Sequence, residues 1–373
     1  MKPELERIEI PGEHEARARS WSVVARSFHE RKATRPRAQW PKVAAVAIAL
    51  AALAAAALSS PGRAVLDEVR EVVGVERAQP ALFSLPAPGR LLVSSDAGVW
   101  IVQQDGSKRL LGPYREASWS PFGRFVVVAR QFELTAMDPE GGVRWTLARR
   151  DVRFPRWTGS ETDTRVAYVD RTGIRVVGGD GLGDRLLVPK VRGPLAWRPG
   201  AGFQLAYVDR RGRVVLIDTE TGRVRWRTRP DGRVLGLEWS SNGSRLVARL
   251  IGGLDDLSIY TPRGALHTGF RTPRGRVTAA ATRPASNARA VAVAVNGQAR
   301  LFMPDVLRDA LSGPGVLSRL AWSPDGAWLL ASWPSADQWV FVRADGKRIR
   351  AVSNVSEQFR SRSFPRIEGW VAG

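Results

Sequence analysis

The chain has 373 residues, 44% of them hydrophobic, and carries 57 Lys and Arg against 36 Asp and Glu, a formal net charge of +21. This length is sufficient for one large domain with appendages. The lack of cysteine excludes disulfides, thiolate metal sites and cysteine nucleophiles. Three histidines, His14, His29 and His267, are too few for a histidine metal cluster. A Ser-His-Asp triad would depend on His267 alone, because the other two precede an apolar segment described below.

The positive charge is almost entirely arginine, with 51 arginines and six lysines. Together with the excess of Ala, Gly and Pro, this composition is typical of GC-rich coding. Attraction to an anionic lipid, an envelope polymer or a nucleic acid is the functional alternative. No dense Lys/Arg stripe with interleaved aromatic residues occurs in the sequence of the large domain, which argues against nucleic-acid binding.

Residues 1–42 form a basic tail that contains a helical pattern. The apolar residues that share one helical stripe are Ala18, Trp21, Val24, Ala25 and Phe28. A cationic amphipathic helix of this kind is expected to lie on the inner leaflet of a membrane. The alternative is a docking helix for a cytosolic regulator, with Trp21 and Phe28 as the partner-binding residues.

Residues 43–60 are a predicted transmembrane anchor. Val43 to Leu58 are sixteen residues without a polar side chain, and as a helix the segment spans about 24–27 Å, slightly less than a ~30 Å hydrocarbon core. Residues 16–42 hold eight Lys/Arg and one acid, whereas residues 61–77 hold three Arg and four acids. The positive-inside rule therefore predicts a single-pass protein of the cell membrane with a cytoplasmic N-terminus. A cleaved signal peptide and a buried core helix are the alternatives.

Residues 61–80 are a predicted juxtamembrane helix and linker. Val65, Leu66, Val69 and Val72 recur at helical spacing, and Gly74 suits a C-cap. We expect this short helix to be a spacer that packs on the domain after it.

A repeat with a period near forty begins at about residue 81. Its clearest copies read Trp119-Ser-Pro-Phe-Gly, Trp239-Ser-Ser-Asn-Gly and Trp322-Ser-Pro-Asp-Gly, and each continues into an apolar run. The other copies are more degenerate, and the first is a diverged one. The seven anchor residues, separated by 34, 38, 40, 42, 43 and 40 residues, are Leu85, Trp119, Trp157, Trp197, Trp239, Thr282 and Trp322.

Each repeat unit contains about four short apolar or alternating runs separated by turns rich in Gly, Asp, Asn or Pro. In the unit that begins at Trp197, Asp218-Thr-Glu-Thr-Gly222 is a hairpin turn between two such runs. Four strands per unit of about forty residues is the pattern of a β-propeller blade. Residues 81–373 are therefore predicted to be an all-β propeller of seven blades, with six as the alternative if the first copy is not a full blade.

The turn that begins at Trp322 and its counterparts resemble the repeat of TolB-type β-propellers over roughly residues 81–373. The segment Asp218-Thr-Glu-Thr-Gly-Arg-Val-Arg-Trp226 also resembles quinoprotein-type blades. The resemblance implies a propeller fold and a general role in protein interaction. Quinoprotein chemistry is not expected, because no catalytic acid or metal-ligand set can be assigned, so we predict neither cofactor nor metal.

The C-terminal segment is predicted to close the ring. Phe364-Pro-Arg-Ile-Glu-Gly-Trp370 is similar to Arg115-Glu-Ala-Ser-Trp119, which ends an inner strand. We expect residues 364–370 to pair with the strands at 91–110, which would join the two ends of the propeller.

Most polar motifs in the repeat favour structural roles. Turn aspartates bond their own backbone, and this is the interpretation for Asp170, Asp209, Asp218, Asp231 and Asp325. The repeat tryptophans are expected to pack between blades. The glycine-rich segment 178–183 follows a strand without opening a helix, so it fails the context test for phosphate binding.

Two carboxylate pairs and one histidine are candidate sites. Asp255-Asp256 and the Glu161/Asp163 pair could hold calcium, but solvated loops are the favoured interpretation. His267 is expected to be a packed or surface residue, and only a position facing the channel beside a serine and an acid would permit a hydrolase.

The sequence as a whole predicts a membrane-anchored, extracytoplasmic, non-catalytic platform that binds a protein, a peptide or an envelope polymer. The alternative is a single-pass signalling regulator, similar in layout to anti-sigma proteins, with the propeller as its sensor. The tail lacks the His/Cys zinc pattern found in many such regulators.

Overall fold

The computed structural model describes residues 75–79, 84–191, 193–200, 202–271, 276–284, 291–295, 300–303, 308–311 and 313–373. The predicted tail, with Trp21 and Phe28, the predicted anchor at 43–60 and the predicted helix before Gly74 lie outside these ranges. Within them, no helix has the length and apolar character needed to cross a bilayer.

The regular secondary structure of the described chain is almost entirely β-strand. The strands are β1 (Val75–Gln79), β2 (Arg90–Ser95), β3 (Gly98–Val102), β4 (Lys108–Gly112), β5 (Glu116–Trp119), β6 (Val126–Arg130), β7 (Glu133–Met137), β8 (Val143–Ala148), β9 (Arg153–Gly159), β10 (Thr164–Val169), β11 (Gly173–Gly178), β12 (Arg185–Pro189), β13 (Leu195–Trp197), β14 (Gln204–Val208) and β15 (Val214–Asp218). They continue with β16 (Val224–Thr228), β17 (Arg233–Trp239), β18 (Leu246–Ile251), β19 (Leu257–Tyr260), β20 (Leu266–Phe270), β21 (Val277–Thr282), β22 (Val291–Val295), β23 (Arg300–Met303), β24 (Arg308–Leu311), β25 (Arg319–Trp322), β26 (Trp328–Trp333), β27 (Gln338–Arg343), β28 (Ile349–Ser353) and β29 (Arg366–Val371). A 3-10 turn (Pro334–Ala336) and a short helix α1 (Val355–Gln358) accompany the last strands.

The described strands form seven sheets, which we number in ring order. Sheet 1 is β29-β2-β3-β4, sheets 2 to 6 are β5–β8, β9–β12, β13–β16, β17–β20 and β21–β24, and sheet 7 is β25–β28 with β1 at its outer edge. The inner strands β29, β5, β9, β13, β17, β21 and β25 contact one another in that order, and β25 contacts β29. The ring is therefore closed, and the predicted all-β propeller is confirmed.

The strand sequences follow from position within a sheet. Second and third strands are covered on both faces by neighbouring sheets, so they are continuous apolar runs such as β3 and β26, buried throughout. Outer strands face water on one side, and β8 accordingly alternates exposed and half-buried residues.

Ring closure occurs between the two ends of the described chain, as predicted. β29 pairs antiparallel with β2, with Leu91 opposite Trp370 and Arg90 opposite Val371. The C-terminus thus supplies the inner strand of a sheet whose other three strands lie near the N-terminal end of the propeller.

Leu85, the predicted anchor of the diverged first copy, does not lie on an inner strand. The anchors from Trp119 to Trp322 all lie on inner strands. Leu85 instead precedes β2 and is buried, and the corresponding inner strand is β29, which contains Trp370. The reason is topological. The first repeat begins with its second strand, β2, and the inner strand of sheet 1 is the C-terminal strand β29.

β1 lies inside the segment predicted as a linker. It pairs in parallel with β28 and adds a fifth strand to sheet 7. The other strand pairs of the described sheets are antiparallel. The pairing of β1 with β28 joins the start of the described chain to its last sheet.

The serine and glycine of the repeat motif build one recurring turn. In the turns at Ser120, Ser240 and Ser323, the serine hydroxyl accepts a hydrogen bond from the backbone N–H five residues later, at 2.9, 3.0 and 2.9 Å. The glycine three residues after each serine has φ of 67°, 64° and 66°, a left-handed conformation that favours glycine.

An arginine from the preceding sheet locks each of these three turns. Arg90, Arg198 and Arg283 donate to the turn glycine carbonyl at 2.7, 3.0 and 2.8 Å. The same guanidinium groups lie 5.2, 5.4 and 5.5 Å from the rings of the repeat tryptophans Trp119, Trp239 and Trp322. We call these contacts the arginine clamps. They join sheet 1 to 2, sheet 4 to 5 and sheet 6 to 7.

The hydrophobic cluster between sheets 7 and 1 joins residues from both ends of the described chain. Phe359, which follows α1, is fully buried between Trp100 and Trp339, with ring centroids 5.8 and 5.1 Å away. The junction that closes the ring is thus stabilised by buried aromatic residues as well as by strand pairing.

Candidate functional site

The inner strands enclose a central channel with a cavity of about 410 Å³. Every inner strand contributes to its wall, and so does the second strand β18. A cavity of this volume admits a side chain, a chain terminus or a small ion, but not a folded domain.

Three glutamates line this channel, and each has a partner of its own. Glu116 accepts the backbone N–H of Phe154 at 2.5 Å. Glu368 pairs with Arg366 at 3.5 Å. Glu238 accepts the backbone N–H and the hydroxyl of Thr282, both at 2.8 Å. Burial raises the pKa of Glu238, and the two bonds from Thr282 oppose that rise.

Arg156, Arg249 and Arg319 also line the channel, and we call them the channel arginines. Burial lowers the pKa of Arg156, while the charges of Glu368 and Glu116 raise it and that of Arg319 lowers it. Burial also lowers the pKa of Arg249, and Arg319 lowers it further. Arg319 therefore lies close enough to both other guanidinium groups to repel them.

Arg249 reaches the channel from a second strand, opposite a glycine of the inner strand. Gly236 on β17 is the cross-strand partner of Arg249 on β18. A Cβ atom at Gly236 would lie 3.8 Å from Nε of Arg249. The side chain thus crosses the inner strand at a position that has no side chain.

A second cavity of about 660 Å³ lies where the inner strands begin, and we call it the mouth pocket. Its lining comes from strand ends and loops of sheets 1, 2 and 3: Ser94, Ser95, Asp96, Pro113, Tyr114, Arg115, Glu116, Gln131, Asp151, Val152, Arg153, Ser363, Phe364 and Arg366. Glu116 and Arg366 line both cavities. The pocket and the channel are therefore adjacent parts of one concave surface.

One wall of the mouth pocket is held by Asp96. Its carboxylate accepts the backbone N–H groups of Arg362 and Ser363 at 2.8 and 2.9 Å and the Ser363 hydroxyl at 2.7 Å. The bonds from Ser363 are the main cause that lowers the pKa of Asp96 to about 2. This exposed carboxylate ties the β2–β3 hairpin to the segment that leads into β29.

The structure places His267 on β20, the outermost strand of sheet 5, where its side chain is exposed. It does not face the channel, so the hydrolase hypothesis loses its only candidate base within the described residues. The surface interpretation of His267 is confirmed.

The turn interpretation is confirmed for four of the five aspartates. Asp170, Asp209, Asp218 and Asp325 accept backbone N–H groups two to four residues further on. Asp231 instead accepts the N–H of Leu254 at 2.6 Å. Four carboxylates therefore stabilise their own turns, whereas Asp231 ties the loop before β17 to the loop between β18 and β19.

The repeat tryptophans pack between sheets, as predicted. The described indoles at these anchors are Trp119, Trp157, Trp197, Trp239 and Trp322, with exposed fractions between 5% and 9%. Further tryptophans on outer strands reach the next sheet, and Trp145 donates to the Gly179 carbonyl at 2.7 Å.

The glycine-rich segment 178–183 forms the β11–β12 hairpin turn. A Cβ atom at Gly181 would lie 2.7 Å from the Trp145 ring, so the segment makes room for an indole from sheet 2. Glu161 contacts Arg124 at 3.5 Å, and Asp163 pairs with Arg165. No group of three or more metal-ligating side chains occurs in the part of the chain that the structure describes.

The channel residues were not identified from the sequence. A signal was present, because Arg156 and Glu238 directly precede the repeat tryptophans Trp157 and Trp239 at a position occupied by small residues in most copies. The sequence contains no such signal for Arg249, because only the strand register shows that this residue lies opposite Gly236.

Comparison with known proteins finds no matching family model and no match among curated proteins. Solved structures of propellers do match. A chain of the mitotic checkpoint complex has 19% identity and a TM-score of 0.53, with 72% of this chain and 93% of that chain covered. The β-propeller domain of Cps50 (Swd1) from Myceliophteria thermophila has 15% identity and a TM-score of 0.50, with 74% and 98% covered.

The WD40 domain of Pan2 from Neurospora crassa is also similar, with 8% identity, a TM-score of 0.49 and coverage of 64% and 78%. The likeness to the checkpoint and Cps50 structures supports the β-propeller fold. At these identities it indicates the fold alone.

Proposed function

We propose that the propeller is a non-catalytic platform that binds a protein or peptide at its mouth pocket. The observation that carries this proposal is the continuity of the mouth pocket with the charged channel through Glu116 and Arg366. A concave surface that combines aromatic side chains with arginines is the composition of protein-binding hot spots. The TolB-type character of the repeat agrees with such a role and stays a prediction.

The chemistry of the mouth pocket suits a peptide. Tyr114 is half-buried and Phe364 packs partly against the core, so both present rigid aromatic surface. Arg115 and Arg153 are exposed at the rim of the pocket. Aromatic anchors beside exposed arginines suit peptides that carry apolar and acidic residues.

The polar groups of this surface favour binding over catalysis. Its glutamates accept hydrogen bonds from the backbone or from neighbouring side chains, and His267 lies on an outer strand. Ser363 donates its hydroxyl to Asp96, but a carboxylate whose pKa is about 2 is too weak a base to activate that hydroxyl, so we assign the surface no reaction.

Charge reversal at the mouth tests the proposal. The full-length double variant Arg115→Glu, Arg153→Glu is expected to lose the proteins that cross-link to the wild type in its native membrane. The control is Arg223→Glu, Lys347→Glu, which makes the same change in charge at exposed hairpins on the opposite face. Equal recovery of the same proteins by both variants would refute a binding site at the mouth.

We further propose that the predicted segment 43–60 anchors the propeller outside the cell membrane with the tail in the cytoplasm. Because the chain contains no cysteine, a single Arg223→Cys variant is a clean probe of topology. Labelling by a membrane-impermeant maleimide in intact cells is expected. Labelling only after lysis would place the propeller on the other side.

The alternative function is a signalling regulator whose tail docks a cytosolic partner through Trp21 and Phe28. Its layout of tail, predicted span and large domain is the feature that favours it. Replacing both residues by alanine would alter transcription, with the protein still in the membrane, if the tail transmits a signal. If only the affinity of the tail peptide for lipid falls, the tail is an anchor helix.

A further inference from the structure

Four arginines line the channel, and one of them, Arg366, pairs with Glu368. Arg156, Arg249 and Arg319 come from sheets 3, 5 and 7 and line the same 410 Å³ cavity. Arg319 perturbs both of the others electrostatically. The fold thus brings like charges from three separate sheets to one place.

The glutamates of the channel do not form ion pairs with Arg249 or Arg319. Glu238 is bonded to Thr282 and Glu368 to Arg366, whereas Glu116 holds the backbone of Phe154. Among the described residues, ion pairs within 4 Å that involve Arg249 or Arg319 are not observed. These two guanidinium groups therefore retain their donors for another group.

An unpaired arginine in a half-buried position is costly to stability. Removing a charge from bulk water is unfavourable unless a counter-charge or a set of hydrogen-bond acceptors replaces the water. The guanidinium group of Arg249 lies over Gly236, within van der Waals distance of the position that a Cβ atom would take. Arg249 crosses Gly236 and faces the cavity, and no ion pair within the described residues accounts for this position.

We propose that the channel binds an anionic group, a carboxylate or a phosphate, between Arg249, Arg319 and Arg156. This inference rests on the proposed function and deepens it, because the anion would be the acidic residue or terminus of a chain docked at the mouth pocket, or a free anion of the same chemistry. Guanidinium groups bind both kinds of anion through paired hydrogen bonds. The cavity is large enough for one such group and its immediate chain.

Calorimetric titration of the full-length protein in detergent tests this site. The probes are inorganic phosphate and a hexaglutamate peptide, each at constant ionic strength so that general screening does not change. We expect saturable binding at one site per chain. Arg249→Gln and Arg319→Gln should each raise the dissociation constant by about tenfold or more. Arg223→Gln on the opposite face should leave it unchanged.

Two checks guard against loss of folding. Arg319 is exposed, so its replacement should leave the melting temperature unchanged, and Arg249→Lys should retain part of the affinity. Tighter binding of the peptide than of phosphate would identify a docked chain as the source of the anion, and the reverse order would identify a free anion. Lack of saturable binding by either probe, or equal affinity in wild type and Arg249→Gln, would overturn the proposal.

The two proposals fail in different ways. If the channel variants bind anions like the wild type while Arg115→Glu, Arg153→Glu still abolishes capture of partners, the platform stands and the anion site is refuted. If the anion site is confirmed and the mouth variant captures partners normally, the channel binds an anion without a docked protein.

Discussion

At the scale of single residues, the arginine clamps explain how adjacent sheets hold their spacing. Each clamp combines a charged hydrogen bond to a glycine carbonyl with a cation–π contact to a buried indole, and the two contacts together are more directional than apolar packing. A clamp requires an arginine in one sheet and a Ser-x-x-Gly turn in the next sheet. Three junctions satisfy both conditions.

Removing one clamp should destabilise the propeller. Arg198 is half-exposed, so Arg198→Met is expected to lower the free energy of unfolding by about 1–2 kcal/mol. Urea denaturation measures this effect against Arg223→Met, an exposed arginine expected to change stability by less than about 0.5 kcal/mol. Equal effects of the two substitutions would show that the clamp contributes nothing.

Two glycines with positive φ should differ in their tolerance of alanine. Gly264 and Gly222 have φ of 85° and 69°, so both substitutions carry a backbone cost. A Cβ atom at Gly264 would also lie 2.6 Å from the Trp226 ring, whereas one at Gly222 meets nothing within 4 Å. We expect Gly264→Ala to destabilise the protein by about 1–3 kcal/mol more than Gly222→Ala. Equal unfolding free energies would contradict this packing.

The pKa of Asp96 predicts an acid-dependent contribution to stability. Its pKa in the folded chain is lowered from 3.8 to about 2, so the folded state binds the proton less readily than the unfolded state. The contribution is complete above pH 4 and is lost as the pH falls from about 4 to about 2. The melting temperature of wild type should exceed that of Asp96→Asn at pH 6, and the difference should shrink in this interval. A difference independent of pH would contradict the hydrogen-bonded carboxylate.

At the scale of elements, the sequence predicts strands better than their pairing across the ring. The period near forty and the tryptophan anchors locate six inner strands because each anchor ends or lies in a strand that packs on its neighbours. β29 was also predicted, since its segment repeats the pattern of an inner strand. Leu85 was misplaced because a local pattern does not show that the first sheet takes a strand from the far end of the chain.

Local sequence pattern does not predict the pairing of β1 or the channel position of Arg249. β1 has no repeat counterpart, and its parallel pairing with β28 depends on how the closed ring presents an edge. Arg249 is one arginine among 51, and its role follows only from the strand register opposite Gly236. Long-range pairing and side-chain direction, rather than local pattern, decide the candidate site.

Loss of β29 should affect the entire ring. A chain that ends at Arg360 lacks the inner strand of sheet 1 and leaves Leu91 and Trp100 uncovered, since both belong to the closing cluster with Trp370. We expect it to melt well below the wild type or to aggregate, because the unpaired edge of β2 is exposed. A chain that ends at Val371 retains β29 and is the control. An unchanged melting temperature of the shorter chain would refute closure by the C-terminal strand.

At the scale of the whole molecule, charge and closure suit a rigid surface that attracts acidic partners. A formal charge of +21 accelerates encounters with anionic surfaces in a manner that salt weakens. Specific recognition requires a defined place for the partner, and the proposed place is where the mouth pocket meets the channel. The rate of association should therefore depend on ionic strength. The lifetime of the complex should depend on the residues of the mouth pocket.

Site-specific photo-cross-linking in living cells tests the central claim most directly. A benzophenone amino acid at Gln131, an exposed residue of the mouth pocket, is compared with the same group at Arg223 on the opposite face. The account predicts a discrete cross-linked partner from position 131 that disappears when Arg249 is replaced by Gln, and none from position 223. The same adducts from both positions, or adducts from position 223 alone, would contradict binding at the mouth.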